Sequence, residues 1–194
     1  MFDILIFLVS FYLLLLSVLG YGLIFQNLCY EKIKNLDGQN AIFLGFFGLS
    51  LITLISLISS LIIQHGYIHN IILHFFGIIF FLFIPAKNKR KFLKTLIIIS
   101  FLCFVALLIS KTHDDFSYYH LPFTKYLTEQ KIIFGMGHLN HGYNLLSSLF
   151  FLNSTFYLPF VDYFSFHFSL LFFLIFFNFF IFKEIVSKYT HEVI

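Results

Sequence analysis

Two adjacent carboxylates, Asp114 and Asp115, follow directly on a long apolar run, in the stretch from Thr112 to Phe123. A carboxylate held beside a hydroxyl can take its proton as the oxygen attacks an electrophilic carbon. A positioned base of this kind contributes about 10²–10⁴-fold in rate. From there Phe116, Tyr119, Phe123, Tyr126 and Leu127 recur at helical spacing, with Ser117, Thr124, Thr128 and Glu129 off that face. Pro122 fits only a first turn, so the helix either starts near Leu121 or kinks there. In both cases the acidic pair lies at or before a helix N-terminus, where the dipole favours ionised carboxylates by about 0.3–1 kcal/mol. A plain helix cap accounts for one such Asp equally well. Further on, His138 and His141 with Asp115 form a donor set suited to a divalent metal. This is the weaker alternative, because Gly135, Gly137 and Gly142 predict a loop in which helical spacing carries little meaning.

The rest of the chain is built for lipid. Hydrophobic residues make up 60% of 194 and charged residues 11%, against about 25% charged in soluble domains. Several runs approach or exceed the roughly 20 apolar residues that cross a bilayer. The pattern predicts an all-α integral membrane protein with about five transmembrane helices and one or two juxtamembrane interfacial helices in a long outer loop. The spans are placed near 4–25, 41–63, 71–84, 95–110 and 164–182. The turn from Gln64 to Asn70 joins the second and third, and Gly45 and Gly48 offer places for close helix approach. Three regions follow: four spans in 1–110, an extracytoplasmic loop in 111–163 holding the candidate site, and a last span with a polar tail in 164–194. Within that loop, 143–160 reads as a helix lying in or dipping into the outer interface, because Asn153, Ser154 and Thr155 interrupt its apolar core. Cys29 and Cys103 have no spaced partners, which argues against a disulfide framework or zinc site.

Orientation follows from basic loops staying in the cytoplasm. With the N-terminus outside, Lys32, Lys34, Lys87, Lys89, Arg90, Lys91, Lys94, Lys183 and Lys188 fall inside, and Lys111, Lys125 and Lys131 fall outside. The acidic pair is thereby placed on the outer face and the C-terminus in the cytoplasm. These short, membrane-adjacent basic runs set topology and do not point to nucleic acid. His65 and His69 suit a polar turn at a bilayer surface, and His74 and His167 read as interfacial, hydrogen-bonded groups. Tyr118, Tyr119 and Tyr126 have a plain role as aromatic-belt anchors.

The residues from Asp114 to Leu121, Asp-Asp-Phe-Ser-Tyr-Tyr-His-Leu, resemble the first outer-loop motif of the GT-C superfamily of multi-span membrane glycosyltransferases, in particular its family 39-like members. The Gly, Asn and His segment from Phe134 to Asn144 resembles one found in a group of bacterial relatives with an Asp-x-x-x-Tyr-His-Leu motif. The resemblance covers about Thr112 to Leu152. It implies a bacterial inner-membrane enzyme that takes a sugar from a polyprenyl-phosphate donor to an acceptor on the extracytoplasmic face. Asp114 or Asp115 would be the catalytic base: the acidic-pair pattern favours the first and the Tyr-His pattern the second. Tyr118, Tyr119, His120, Lys125, His138, Asn140 and His141 would bind substrate. Lys111, Lys125, His138 and His141 are the local groups able to face the phosphate. No cofactor is implied beyond the lipid-linked sugar, with a divalent metal as the alternative at Asp115, His138 and His141. The family's later loops with their phosphate-binding Arg or Lys are missing, so the resemblance is to the amino-terminal portion of such an enzyme.

Two other functions stay open. One is a non-catalytic membrane scaffold or transport-related component using the outer loop as a binding surface. The other is a metal-binding sensor built on the outer histidines. Span interiors nearly free of Asp, Glu, Lys and Arg disfavour an ion-coupled carrier.

Overall fold

The computed structural model describes residues 2–29, 38–83, 89–109, 114–138, 141–144 and 147–192. Within them the chain is helical, with no β-strand. The helices are α1 (Phe2–Cys29), α2 (Gly38–Ser60), α3 (Tyr67–Leu82), α4 (Lys89–Ile109), α5 (Leu121–Glu129), α6 (Ser148–Thr155) and α7 (Phe168–Glu192). A π turn, Phe116–His120, precedes α5, and short 3-10 turns cover Met136–His138, His141–Asn144 and Asp162–His167.

Three stretches among the described residues are helical, long and apolar enough to cross a membrane: Ile4–Cys29, Ile42–Ser60 and Asp162–Val186. Tyr67–Leu82 and Leu93–Val105 are shorter apolar helices. At 1.5 Å per residue, α3 is roughly 24 Å long, short of a hydrocarbon core about 30 Å thick. Lipid-ready surface runs along these helices, where Phe43, Leu54, Ile58, Phe75, Phe76 and Phe101 are exposed.

Helix α1 is the axis, packed along α2 and α3, while α7 closes the bundle against α2 and α4. Backbone proximity explains the first set of contacts. A Cβ on Gly20 would stand 1.8 Å from the Gly77 carbonyl oxygen, and one on Gly48 1.8 Å from that of Val18. Small residues let helix axes approach where apolar burial alone gives little drive in lipid. Gly48 does what its sequence position suggests, and Gly45 lies under the Phe176 ring. Toward α7 the packing is aromatic: the buried Phe11 ring touches Phe104, Phe168 and Phe172 at 5.1, 5.3 and 5.4 Å. Gly77→Val is therefore expected to cost about 2–3 kcal/mol, because its side chain meets Ser17 Oγ and backbone rather than a movable tip. Thermal unfolding in detergent measures it. Gly66→Ala, whose nearest neighbours lie 3.6 Å away, is the control that should leave the midpoint unchanged.

Several sequence boundaries move. Helix α3 begins at Tyr67, so Ile68, His69 and Asn70 of the expected turn form its first helical turn, and the turn itself shrinks to 61–66. The basic stretch from Lys89 opens α4 instead of preceding it. Likewise α7 carries helix through Lys183 and Lys188 to Glu192, where a polar tail was expected. Apolar content marked the lipid-facing length in both cases, and helix continues past it into polar residues.

The expected interfacial helix of 143–160 is α6, eight residues long and wedged among α2, α5 and α7. Ser154 and Thr155, which break its apolar pattern, are fully buried. They donate to the carbonyls of Phe151 and Leu152, 2.7 Å each, while Asn153 accepts from Ser169 of α7. Asn153 thus joins α6 to α7, and Ser154 and Thr155 are the residues at which α6 ends. In α5, Phe123 and Leu127 are buried as the periodicity predicts, but so are Thr124 and Thr128. Protein covers α5 on two sides, from α6 and from the 3-10 turn Asp162–His167.

Candidate functional site

The described outer segment starts at the acidic pair. Asp114 is exposed and Asp115 half-buried, at the head of a helical stretch that runs unbroken to Glu129. Asp115 has helical dihedrals and makes no side-chain cap to the π turn that follows. The Ser117 hydroxyl instead donates to the Asp114 carbonyl at 3.1 Å. Pro122 explains the widened turn. Its ring would clash with the carbonyl four residues back and it has no N–H to give. The π turn absorbs this, and the Leu121 N–H bonds to the Phe116 carbonyl. Such single π turns are frequent at functional sites.

The π turn packs against the 3-10 turn His141–Asn144, so the two stretches that carried the sequence motif do meet. Tyr119 and His120 turn toward α6, with the His120 ring 5.0 Å from Phe150, whereas Tyr118 stays exposed. Beside them lies a cleft of about 260 Å³ whose lining includes Phe123, Met136, Gly137, His138, Tyr143 and Asn144. Two glycines shape it. Gly135 has φ +89°, and a Cβ on Gly137 would stand 1.7 Å from Asn144 Oδ1. Neither Asp114 nor Asp115 is among the residues lining this cleft.

Lys125 leaves this group. It lies eleven residues beyond Asp114 on the same helical stretch, roughly 16 Å at 1.5 Å per residue. Its ammonium sits 5.3 Å from the Tyr163 ring centre and 3.7 Å from Glu129. Among the described residues no group of three or more His, Cys, Asp and Glu side chains gathers to hold a metal. Lys111, His113 and Asn140 lie outside the described residues, as does the side chain of His141.

A second polar assembly, at the junction of the α2–α3 turn with α5 and α6, was not anticipated from the sequence. The His65 N–H bonds to the Leu127 carbonyl and the Ile132 N–H to that of Ser60, at 2.8 and 2.9 Å, which ties the outer segment to the end of α2. His65 is fully buried. Its Nδ1 lies 2.6 Å from Ser154 Oγ and its Nε2 2.8 Å from Ser59 Oγ. Since Ser154 gives its proton to the Phe151 carbonyl, Nδ1 donates to Ser154 and Nε2 accepts from Ser59. Asn70, also fully buried, directs Nδ2 at the carbonyls of His65, Ser154 and Tyr157, 2.8 Å each. Its Oδ1 is 2.8 Å from His69 Nδ1, so that nitrogen must be the donor and the neutral His69 keeps its lone pair on Nε2. One turn deeper, His74 bridges Ser17 Oγ and the Thr155 carbonyl at 2.9 Å each. It is hydrogen-bonded, as the sequence suggested, but inside the protein and not at its interface.

Burial lowers the His65 pKa from 6.5 to about 3. The folded protein therefore refuses a proton that the unfolded chain accepts below pH 6.5, and stability present above that pH is lost on acidification. Between pH 6.5 and 5 the loss should be about 2 kcal/mol. Thermal midpoints at the two pH values read it, and His65→Gln should reduce the difference.

An aromatic ladder stands next to this network. Tyr157 stacks between Tyr67 and Tyr163, with centroids 4.4 and 5.0 Å apart, and the Tyr67 hydroxyl donates to Asp162. Asp162 and Phe160 hold φ of +47° and +72°, uncommon for residues other than glycine. The spacing of His65, His69, Asn70 and His74, four to five apart across a helix start, was the available signal. The partners on α6 and beyond are some 85 residues away and left no local trace.

No curated protein and no solved structure gives a significant match to the chain. A family model described as a domain of unknown function, DUF8201, matches residues 4–193, nearly the whole length. The chain belongs to the DUF8201 family.

Proposed function

We propose that this protein is a membrane glycosyltransferase of the GT-C type, moving a sugar from a polyprenyl-phosphate carrier to an acceptor hydroxyl on the extracytoplasmic face. The observation that carries the reading is the acidic pair at the head of a helical stretch widened by a π turn, which packs against the 3-10 turn of the Gly, Asn and His segment. Asp114 or Asp115 takes the acceptor proton as the hydroxyl attacks the anomeric carbon, and the lipid phosphate departs. His138, exposed at the neighbouring cleft, is the described group assigned in this reading to donate to that phosphate. Lys125 is already engaged with Tyr163 and Glu129.

In this reading α1, α2, α3, α4 and α7 all cross the membrane, with the N-terminus outside. Support comes from the hydrogen bonds between the α2–α3 turn and the 127–132 stretch, which keep at one end two segments that alternate crossing puts on one side. The short α3 would then thin the bilayer locally or be completed by flanking residues. The test is sugar transfer from a labelled polyprenyl-phosphate sugar by membranes containing the wild type or its Asp114→Asn and Asp115→Asn variants.

A second reading is a non-catalytic scaffold that displays the outer segment as a binding surface. It is favoured by the cleft at His138, whose lining excludes both acids. A scaffold keeps working when the acids become amides, which separates the two.

A further inference from the structure

We infer that a second cleft, between the α2–α3 turn and the C-terminal end of α5, is a carbohydrate-binding site of its own, built on Tyr67, His69 and Glu129. It is an open cleft of about 540 Å³, and its lining includes Gln64, Tyr67, His69, Thr128, Glu129 and Tyr157. That volume falls within the range of small-molecule sites, in which a few fixed polar groups orient a ligand against apolar walls.

Its chemistry is that of a flat ring face beside hydrogen-bond acceptors. Tyr67 stacks on Tyr157 on one side and is still 37% exposed, leaving the rest of its ring to the cleft. Stacking and the hydroxyl bond to Asp162 fix that ring in place, and Phe160 and Asp162 hold left-handed backbone beside it. Strain of this kind persists only where surrounding structure enforces it. His69 is equally constrained: the saturated amide of the buried Asn70 holds its proton on Nδ1, so Nε2 meets a ligand as an acceptor. The Glu129 carboxylate is a second acceptor, and the Gln64 amide adds donors. Apolar C–H groups of a pyranose lie on the tyrosine while its hydroxyls donate to Nε2 and the carboxylate.

The arrangement favours a sugar over a quaternary ammonium headgroup. Cation recognition uses several ring faces turned inward, whereas these tyrosines stack on one another. Lys125 sits over Tyr163 at the far end of the ladder, leaving Tyr67 with the one tyrosine face open to the cleft. The inference does not need the transferase reading. Loss of transfer in the Asp114 and Asp115 variants should leave this cleft intact.

Saturation-transfer NMR on the protein in lipid nanodiscs, against empty nanodiscs, tests it with three probes: the methyl glycosides of glucose, galactose and mannose. At least one should receive saturation, strongest on the C–H groups of one ring face. Glu129→Gln, at an exposed position, should weaken it about fivefold with the thermal midpoint unchanged. Tyr67→Ala should abolish it, and Asp114→Asn should not change it. The inference is overturned if no probe is saturated above the empty discs, if the signal survives Glu129→Gln undiminished, or if phosphocholine binds here and displaces the glycosides.

Discussion

Asp114→Asn or Asp115→Asn, whichever carries the base, is expected to lower sugar transfer by about 10²–10⁴-fold with little change in stability. Asn keeps the shape of Asp but loses its negative charge, one acceptor oxygen and the ability to take a proton. The pair heads the helical stretch outside the packed core, so unfolding is a poor excuse for lost activity: Asp114 is exposed and Asp115 only half-buried. The unaffected partner serves as internal control, because a structural or capping role would alter the thermal midpoint and leave turnover within a few-fold. Wild-type activity in both single variants and in the double variant would end the glycosyltransferase reading. Labelling supplies an independent measurement. Once Cys29 and Cys103 are replaced by Ser, a cysteine at 114 should react with an impermeant maleimide from outside intact cells. Reaction only after the cytoplasmic face is opened would place the acids on the wrong side of the membrane.

Asn70→Leu should cost about 3–4 kcal/mol, the largest single loss of stability expected from the polar network. Leucine fills a similar volume, so packing is nearly preserved. The damage comes from taking the side-chain donor away from the carbonyls of His65, Ser154 and Tyr157, of which that of Ser154 keeps a backbone N–H. Each orphaned group costs about 1–3 kcal/mol, and the sum falls short of three full penalties because two N–H groups serve three acceptors. Asn70→Asp should be at least as damaging, since a carboxylate offers no donor to those carbonyls. Chemical or thermal unfolding in detergent reads both, and a loss below about 1 kcal/mol for the leucine variant would mean the network is decorative.

What could be read in the sequence and what could not divide along one physical line. Long apolar runs named α1, α2 and α7 because hydrocarbon thickness imposes a length on them. Pro122 announced a break ahead of α5, and the break proved to be a π turn, since proline chemistry acts on the four residues before it. The meeting of the Asp114 stretch with the His141 stretch was implied by a motif that spans both. By contrast, nothing local says that Asn70 will reach Ser154, or that Tyr67 will stack on Tyr157. Those contacts depend on how α6 is tucked among α2, α5 and α7, and polar residues inside an apolar run looked like a helix failing. In a membrane protein they are as often the points where one helix recognises another.

The π turn between Asp115 and Leu121 has a further consequence for how this surface can change. Each residue added to or removed from an α-helix rotates everything beyond it by about 100°. Helix α5 is gripped on two sides through Phe123, Thr124, Leu127 and Thr128, so its own azimuth is fixed. One widened turn upstream therefore sets the bearing of the two carboxylates without disturbing that grip. Tightening it would swing the acids around the helix axis while the anchor stayed still, so aim and attachment are free to vary separately.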